Sequence, residues 1–136
     1  MTTTDSSATH QTTAYELLGG EAGLAAMVHR FYELMDTLPE AYGIRKLHPA
    51  DLSGSEQKLF KYLSGWLGGP QLYVEQYGHP RLRARHLPFA IASTEAGQWM
   101  MCMRMAMEES IPDPRLRGAL DKALTDLAAH MRNRPD

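Results

Sequence analysis

The chain holds a single cysteine, Cys102, among 136 residues. That excludes an internal disulfide and fits a reducing, cytoplasmic setting. No apolar run reaches the length needed to span a bilayer, and the first residues carry no signal-peptide core. Sustained period-two alternation is missing, and β-branched residues are sparse beyond the N-terminus, which argues against strands. Positive charge is not in excess: 14 Lys and Arg stand against 16 Asp and Glu, a net charge of −2. Phosphate binding needs clustered cations, so nucleic acid is not the expected partner, and neither is a membrane. Also missing are a phosphate loop, a metalloprotease histidine pair and a nucleophile elbow. Nothing near Cys102 would activate it, which leaves it a structural thiol.

What remains is enough apolar material, 43% of the residues, to bury the core of one domain. Residues 1–13, rich in Thr and Ser, read as a disordered tail. The domain is expected over 14–132 and a short C-terminal tail over 133–136. Order should begin at Ala14 to Leu18 and break at Gly19-Gly20. Leu24, Met27, Val28, Phe31 and Met35 repeat at three and four, which predicts a helix from about Glu21 to Met35 with Tyr32 also turned inward. Residues 37–52 look irregular. A second helix is expected from Ser53 or Gly54 to Leu67, with Ser55, Leu59, Tyr62, Leu63 and Trp66 as its stripe. Residues 71–78 read as a turn or loose helix. Pro80 suits the first position of a short helical turn that Pro88 stops just after His86. Ser93 or Thr94 should cap a helix with Ala96, Trp99, Met100, Met103, Ala106 and Met107 inward. Asp113-Pro114 opens a last helix whose stripe runs from Leu116 to Met131. The expected class is all-α.

The segment Arg83 to Ala90 concentrates the chemistry. His86 ends a basic helical turn. It reads either as an axial iron ligand through Nε2, with Nδ1–H held by a backbone carbonyl, or as a helix-end histidine facing the dipole. The flanking arginines would meet carboxylates at a pocket rim, or form a solvated basic face. Tyr32 and Trp99 are inward aromatics with one donor each. Both could be simple core. With a ligand histidine nearby, their O–H and N–H would stabilise the partial negative charge of dioxygen at ferrous iron. His48 and Ser55 could add polarity on the same side, or cap a loop and bond back to the helix. The methionines from Met100 to Met107 fill a core by default, and one face could meet an apolar cofactor.

Gly65-Trp66-Leu67-Gly68-Gly69-Pro70, the run from Tyr77-Gly78-His79-Pro80 through Arg85-His86-Leu87-Pro88-Phe89, and Trp99 after a fixed gap resemble the group II truncated haemoglobins. The likeness covers roughly residues 14–131 and extends to Phe31-Tyr32 and Gly19-Gly20. It implies a truncated globin, a two-over-two helical sandwich around haem b. His86 would match the proximal ligand, Tyr32 the distal tyrosine, and Trp99 the tryptophan that marks the group. His48 falls at the corner before the second long helix. Ser55 falls where relatives often carry alanine, a mild departure that adds a hydroxyl, and Leu59 lies one turn on. Arg85 would face a haem propionate. Leu82, Phe89, Ile91 and Met103 would line the apolar edge.

Without a distal histidine on the second helix, ligand stabilisation would rest on Tyr32 and Trp99, with slow oxygen release. His48 or Tyr32 could occupy the iron when no gas is bound. The expected ligands are oxygen, nitric oxide, carbon monoxide or peroxide. One reading is reversible gas binding. Another is enzymatic, nitric oxide dioxygenation or peroxidase-like turnover fed by a separate reductase. A third, a haem-free helical interaction module, would have no need of Tyr32, His86 and Trp99 together. A homodimer is compatible with all three.

Overall fold

The computed structural model describes residues 12–136, and all regular structure among them is helical. The expected N-terminal tail lies outside the described residues except for Thr12 and Thr13. Thr13 belongs to the fold instead. Its hydroxyl accepts from the Glu16 amide at 3.1 Å while the Glu16 carboxylate accepts the Thr13 N–H at 3.1 Å. This reciprocal pair starts α1, Ala14–Leu17.

Gly19 at φ +106° and Gly20 at φ +66° turn the chain into α2, Gly20–Thr37. The buried set of α2 is Leu24, Met27, Val28, Phe31, Tyr32, Leu34 and Met35. Pro39 ends it by forcing Leu38 into an extended conformation. The segment expected to be irregular is partly ordered: a 3₁₀ turn, Pro39–Ala41, leads into α3, Tyr42–Arg45. Their buried Ala41 and Ile44 are too few to show as periodicity.

Helix α4 covers Ser53–Trp66 and α5 covers Leu72–Tyr77. They are joined where fully buried Ser64 donates to the Pro70 carbonyl at 2.7 Å. Gly69 lies under the Tyr15 ring, where a Cβ would come within 2.6 Å of ring carbons. The short α6 is Leu82–His86. Pro80 does not open it. Arg81 precedes it in the left-handed region at φ 47°, a conformation that costs a non-glycine residue about 1 kcal/mol. The Arg81 N–H donates to His79 Nδ1 at 3.0 Å, which helps hold that turn.

Helix α7 spans Ser93–Ser110 and α8 spans Pro114–His130. Neither Ser93 nor Thr94 caps α7. The Glu95 carboxylate does, accepting the Ala92 N–H at 2.8 Å. Asp113 caps α8 as expected, accepting from Arg115 N at 2.9 Å, with Pro114 at the first position. The long helices pair as α2 with α4 and α7 with α8, and α2 packs most extensively across onto α7. This is the two-over-two arrangement. Its core runs from Leu24 and Phe31 through Leu63 to Met103, Met107 and Leu124.

Residues 133–136 are not a free tail. Asn133, Arg134 and Asp136 hydrogen-bond to the segment between His86 and Ser93. No described helix is long and apolar enough to cross a membrane.

Candidate functional site

The two helix pairs do not close on each other at one end. There α2, α4, α6, α7 and α8 enclose a cavity of about 530 Å³, within the usual range for small-molecule and cofactor sites. Every candidate site residue except Met103 lines it. Met103 is on the same face as Trp99 but one turn on, about 6 Å along the axis. That places it past the cavity, fully buried in the core. None of the methionines on α7 reaches the cavity; the methionine that does is Met131, just past α8.

One wall is built on α6. The His86 ring sets its Nδ1 2.6 Å from the Leu82 carbonyl, four residues back. Only Nδ1–H can donate to that carbonyl, so in the neutral ring Nε2 carries the lone pair, and no described protein group bonds it. Leu82, Phe89 and Ile91 supply apolar surface beside it, joined by Leu127 and Ala128 of α8. Periodicity assigned those α8 residues only to a core stripe.

A polar set on the lining comes from α2, α4 and α7, with His48 from the segment after α3. Phe31, fully buried, stands edge-on to Tyr32 at 4.8 Å and to Trp99 at 5.0 Å between ring centroids, fixing both. The Tyr32 hydroxyl donates to the Ser55 carbonyl at 3.3 Å. Burial, reinforced by the nearby Glu56 charge, pushes the Tyr32 phenol pKa well above its ordinary value, so it stays a donor. The Trp99 indole N–H has no hydrogen-bond partner among the described residues, although the ring lines the cavity. His48 sets Nδ1 2.9 Å from the Ile44 carbonyl, and its ring stands edge-on to Tyr32 at 5.9 Å. Burial lowers the His48 pKa, and the Arg45 charge adds to this, against the Ile44 bond. His48 is therefore neutral at pH 7.

Two cations border the cavity. Arg85 lies over the Tyr73 ring at 5.9 Å and Lys58 over the Tyr77 ring at 5.9 Å. Sequence reasoning missed Lys58 and Tyr73. Lys58 sits three residues after Ser55 on the α4 stripe, which was the available signal. Arg83, expected beside Arg85 at a rim, turns away to the His130 and Arg132 carbonyls at 2.7 and 2.8 Å.

These residues fit a haem. The lining is mostly apolar, one imidazole is oriented with Nε2 unprotonated, two cations suit two carboxylates, and an unpaired indole donor waits inside. Among the described residues no three His, Cys, Asp or Glu side chains gather to hold a bare metal ion.

Comparison with known proteins agrees. The model of the bacterial-like globin family matches residues 13–133. The group 2 truncated hemoglobin YjbI of Bacillus subtilis (strain 168) is 38% identical over 122 residues, 90% of this chain and 89% of the relative. The solved group II 2-on-2 hemoglobin from Agrobacterium tumefaciens superposes with a TM-score of 0.90 at 49% identity, covering 94% of this chain and 98% of the other. A truncated oxygen-avid haemoglobin from Bacillus subtilis superposes at 0.81 with 38% identity, covering 90% and 100%. The chain belongs to the bacterial-like globin family, as a group II truncated haemoglobin, and so to the haem proteins that bind gaseous ligands.

Proposed function

We propose that this chain holds haem b through His86 and binds oxygen tightly, with Tyr32 and Trp99 as the principal hydrogen-bond donors to the gas. Haem b would supply ferrous iron, to which a diatomic ligand binds. Everything else falls to the protein. The Leu82 carbonyl fixes the His86 tautomer so that Nε2 is the ligating nitrogen. Arg85 and Lys58, which border the cavity, would meet the propionates, and Leu82, Phe89 and Ile91 would give the cofactor apolar surface. With a gas bound, Tyr32 would trade its long bond to Ser55 for it, and Trp99 would gain an acceptor that its indole otherwise lacks.

The observation that carries this reading is the single cavity that gathers an oriented His86 with Tyr32, His48 and Trp99. The oxygen-avid relative from Bacillus subtilis supports oxygen as the ligand. The absorption spectrum of the purified protein tests it. A Soret band should be present, lost in His86→Ala and kept in His79→Ala, because His79 does not line the cavity. A band that survives His86→Ala would overturn the assignment.

A further inference from the structure

Helix α6, which ends on His86, is the least anchored element of the site. It has five residues, none buried, and packs little against the other helices. A helix that short is not stable alone. Something else must set where His86 sits, and the bonds come from the C-terminal end of the chain.

Asn133 supplies the central ones. Its Nδ2 donates to the His86 carbonyl at 3.0 Å, and its Oδ1 accepts the Ile91 N–H at 3.0 Å. Its own main-chain N–H donates to the Ile91 carbonyl at 2.8 Å. The side-chain amide has one orientation that satisfies both partners, so the assignment of its nitrogen and oxygen is fixed by the network. Around it, Arg83 donates to the His130 and Arg132 carbonyls, and Asp136 accepts the Ser93 N–H at 3.0 Å. One amide thus spans the turn from the last residue of α6 to Ile91, whose side chain lines the cavity.

We propose that Asn133 is a positioning residue for His86: its amide fixes both ends of the turn that carries the imidazole, and so sets the ring's orientation and the hold on the cofactor. This rests on the reading of His86 as the iron ligand. The bond is made to the His86 main chain, one step removed from the ring. It acts as an outer partner of a metal-binding histidine does, by removing alternative ring positions.

The test uses the full haem-loaded chain with two variants. Asn133→Ala removes both side-chain bonds. Asn133→Asp keeps an acceptor for the Ile91 N–H but replaces the donor to His86 with an oxygen facing a carbonyl. The readouts are the iron–imidazole stretching band in resonance Raman of the ferrous, gas-free protein, and the rate of haem transfer to an excess of apomyoglobin. In both variants the band should shift and broaden, and haem loss should quicken about tenfold or more, the usual scale for an outer partner of a metal ligand. An unchanged band and loss rate in Asn133→Ala overturns the proposal. So does Asn133→Asp behaving as wild type, since the tie to Ile91 alone would then suffice. Should Asn133→Ala not fold, the near-isosteric Asn133→Asp decides the question by itself. Failure of the underlying reading looks different: His86→Ala would keep its Soret band whatever the Asn133 variants do.

Discussion

The Tyr32 hydroxyl and the Ser55 carbonyl oxygen are 3.3 Å apart, a long hydrogen bond for a phenol donor. The donor is therefore tethered to α4 but cheaply released. Tyr32→Phe should cost the fold little, about 1 kcal/mol or a few degrees of thermal midpoint. Its effect on the gas should be larger in kinetic terms. Oxygen release is expected to become about tenfold faster, the worth of one hydrogen bond in a dry pocket. Stopped-flow displacement of oxygen measures it, and a release rate equal to wild type would remove Tyr32 from ligand stabilisation.

Trp99 makes a cleaner case, because its indole N–H has no protein acceptor among the described residues. Replacing it with Phe deletes no hydrogen bond from the fold. The edge-on contact with Phe31 at 5.0 Å would be largely kept. Trp99→Phe should thus release oxygen several-fold to about tenfold faster at nearly constant stability. Combining it with Tyr32→Phe tests whether the two donors act on one atom. If they do, the double variant departs from the product of the single effects.

How much of this was readable beforehand depends on the kind of constraint. Burial of a helix face imposes a 3.6-residue period, so the inward placement of Phe31, Tyr32, Leu59 and Trp99 followed from spacing. Periodicity fixes direction around a helix but not depth along it. Met103 therefore shared a face with Trp99 without sharing the cavity. Lys58 drew no reading from the sequence, and Arg85 read by residue type as either a pocket-rim cation or part of a solvated face, because whether such a side chain borders a cavity depends on what stands across from it. The ties from Asn133 to His86 and Ile91 were invisible for another reason. They join a side-chain amide to main-chain groups more than 40 residues away, and any residue type offers those groups.

Cys102 should be inert in the native protein. It is fully buried, and burial pushes its thiol up to about 11. Thiolate is then scarce at pH 8, and access is blocked as well. Iodoacetamide should leave native protein unmodified over hours and alkylate it stoichiometrically in denaturant. Rapid labelling without denaturant would contradict the burial of Cys102 between α7 and its neighbours.

His48 sets a pH dependence whose sign can be worked out. Its folded pKa is lowered from 6.5, chiefly by burial. Between the lowered value and 6.5 the unfolded chain binds more protons than the folded one, so stability falls as pH drops through that window. Above 6.5 both states are neutral at this position, and its contribution is fully present. The neutral ring also keeps Nδ1–H on the Ile44 carbonyl, which leaves Nε2 an acceptor beside Tyr32. Protonation would add a charge and a second donor to the polar lining of the cavity. His48→Phe should therefore flatten the fall in thermal midpoint between pH 7 and pH 5 relative to wild type. The single variant also loses the Ile44 bond, an offset of about 1 kcal/mol present at every pH. The slope is accordingly the diagnostic, and equal slopes in the two proteins would show that another group drives the acid loss.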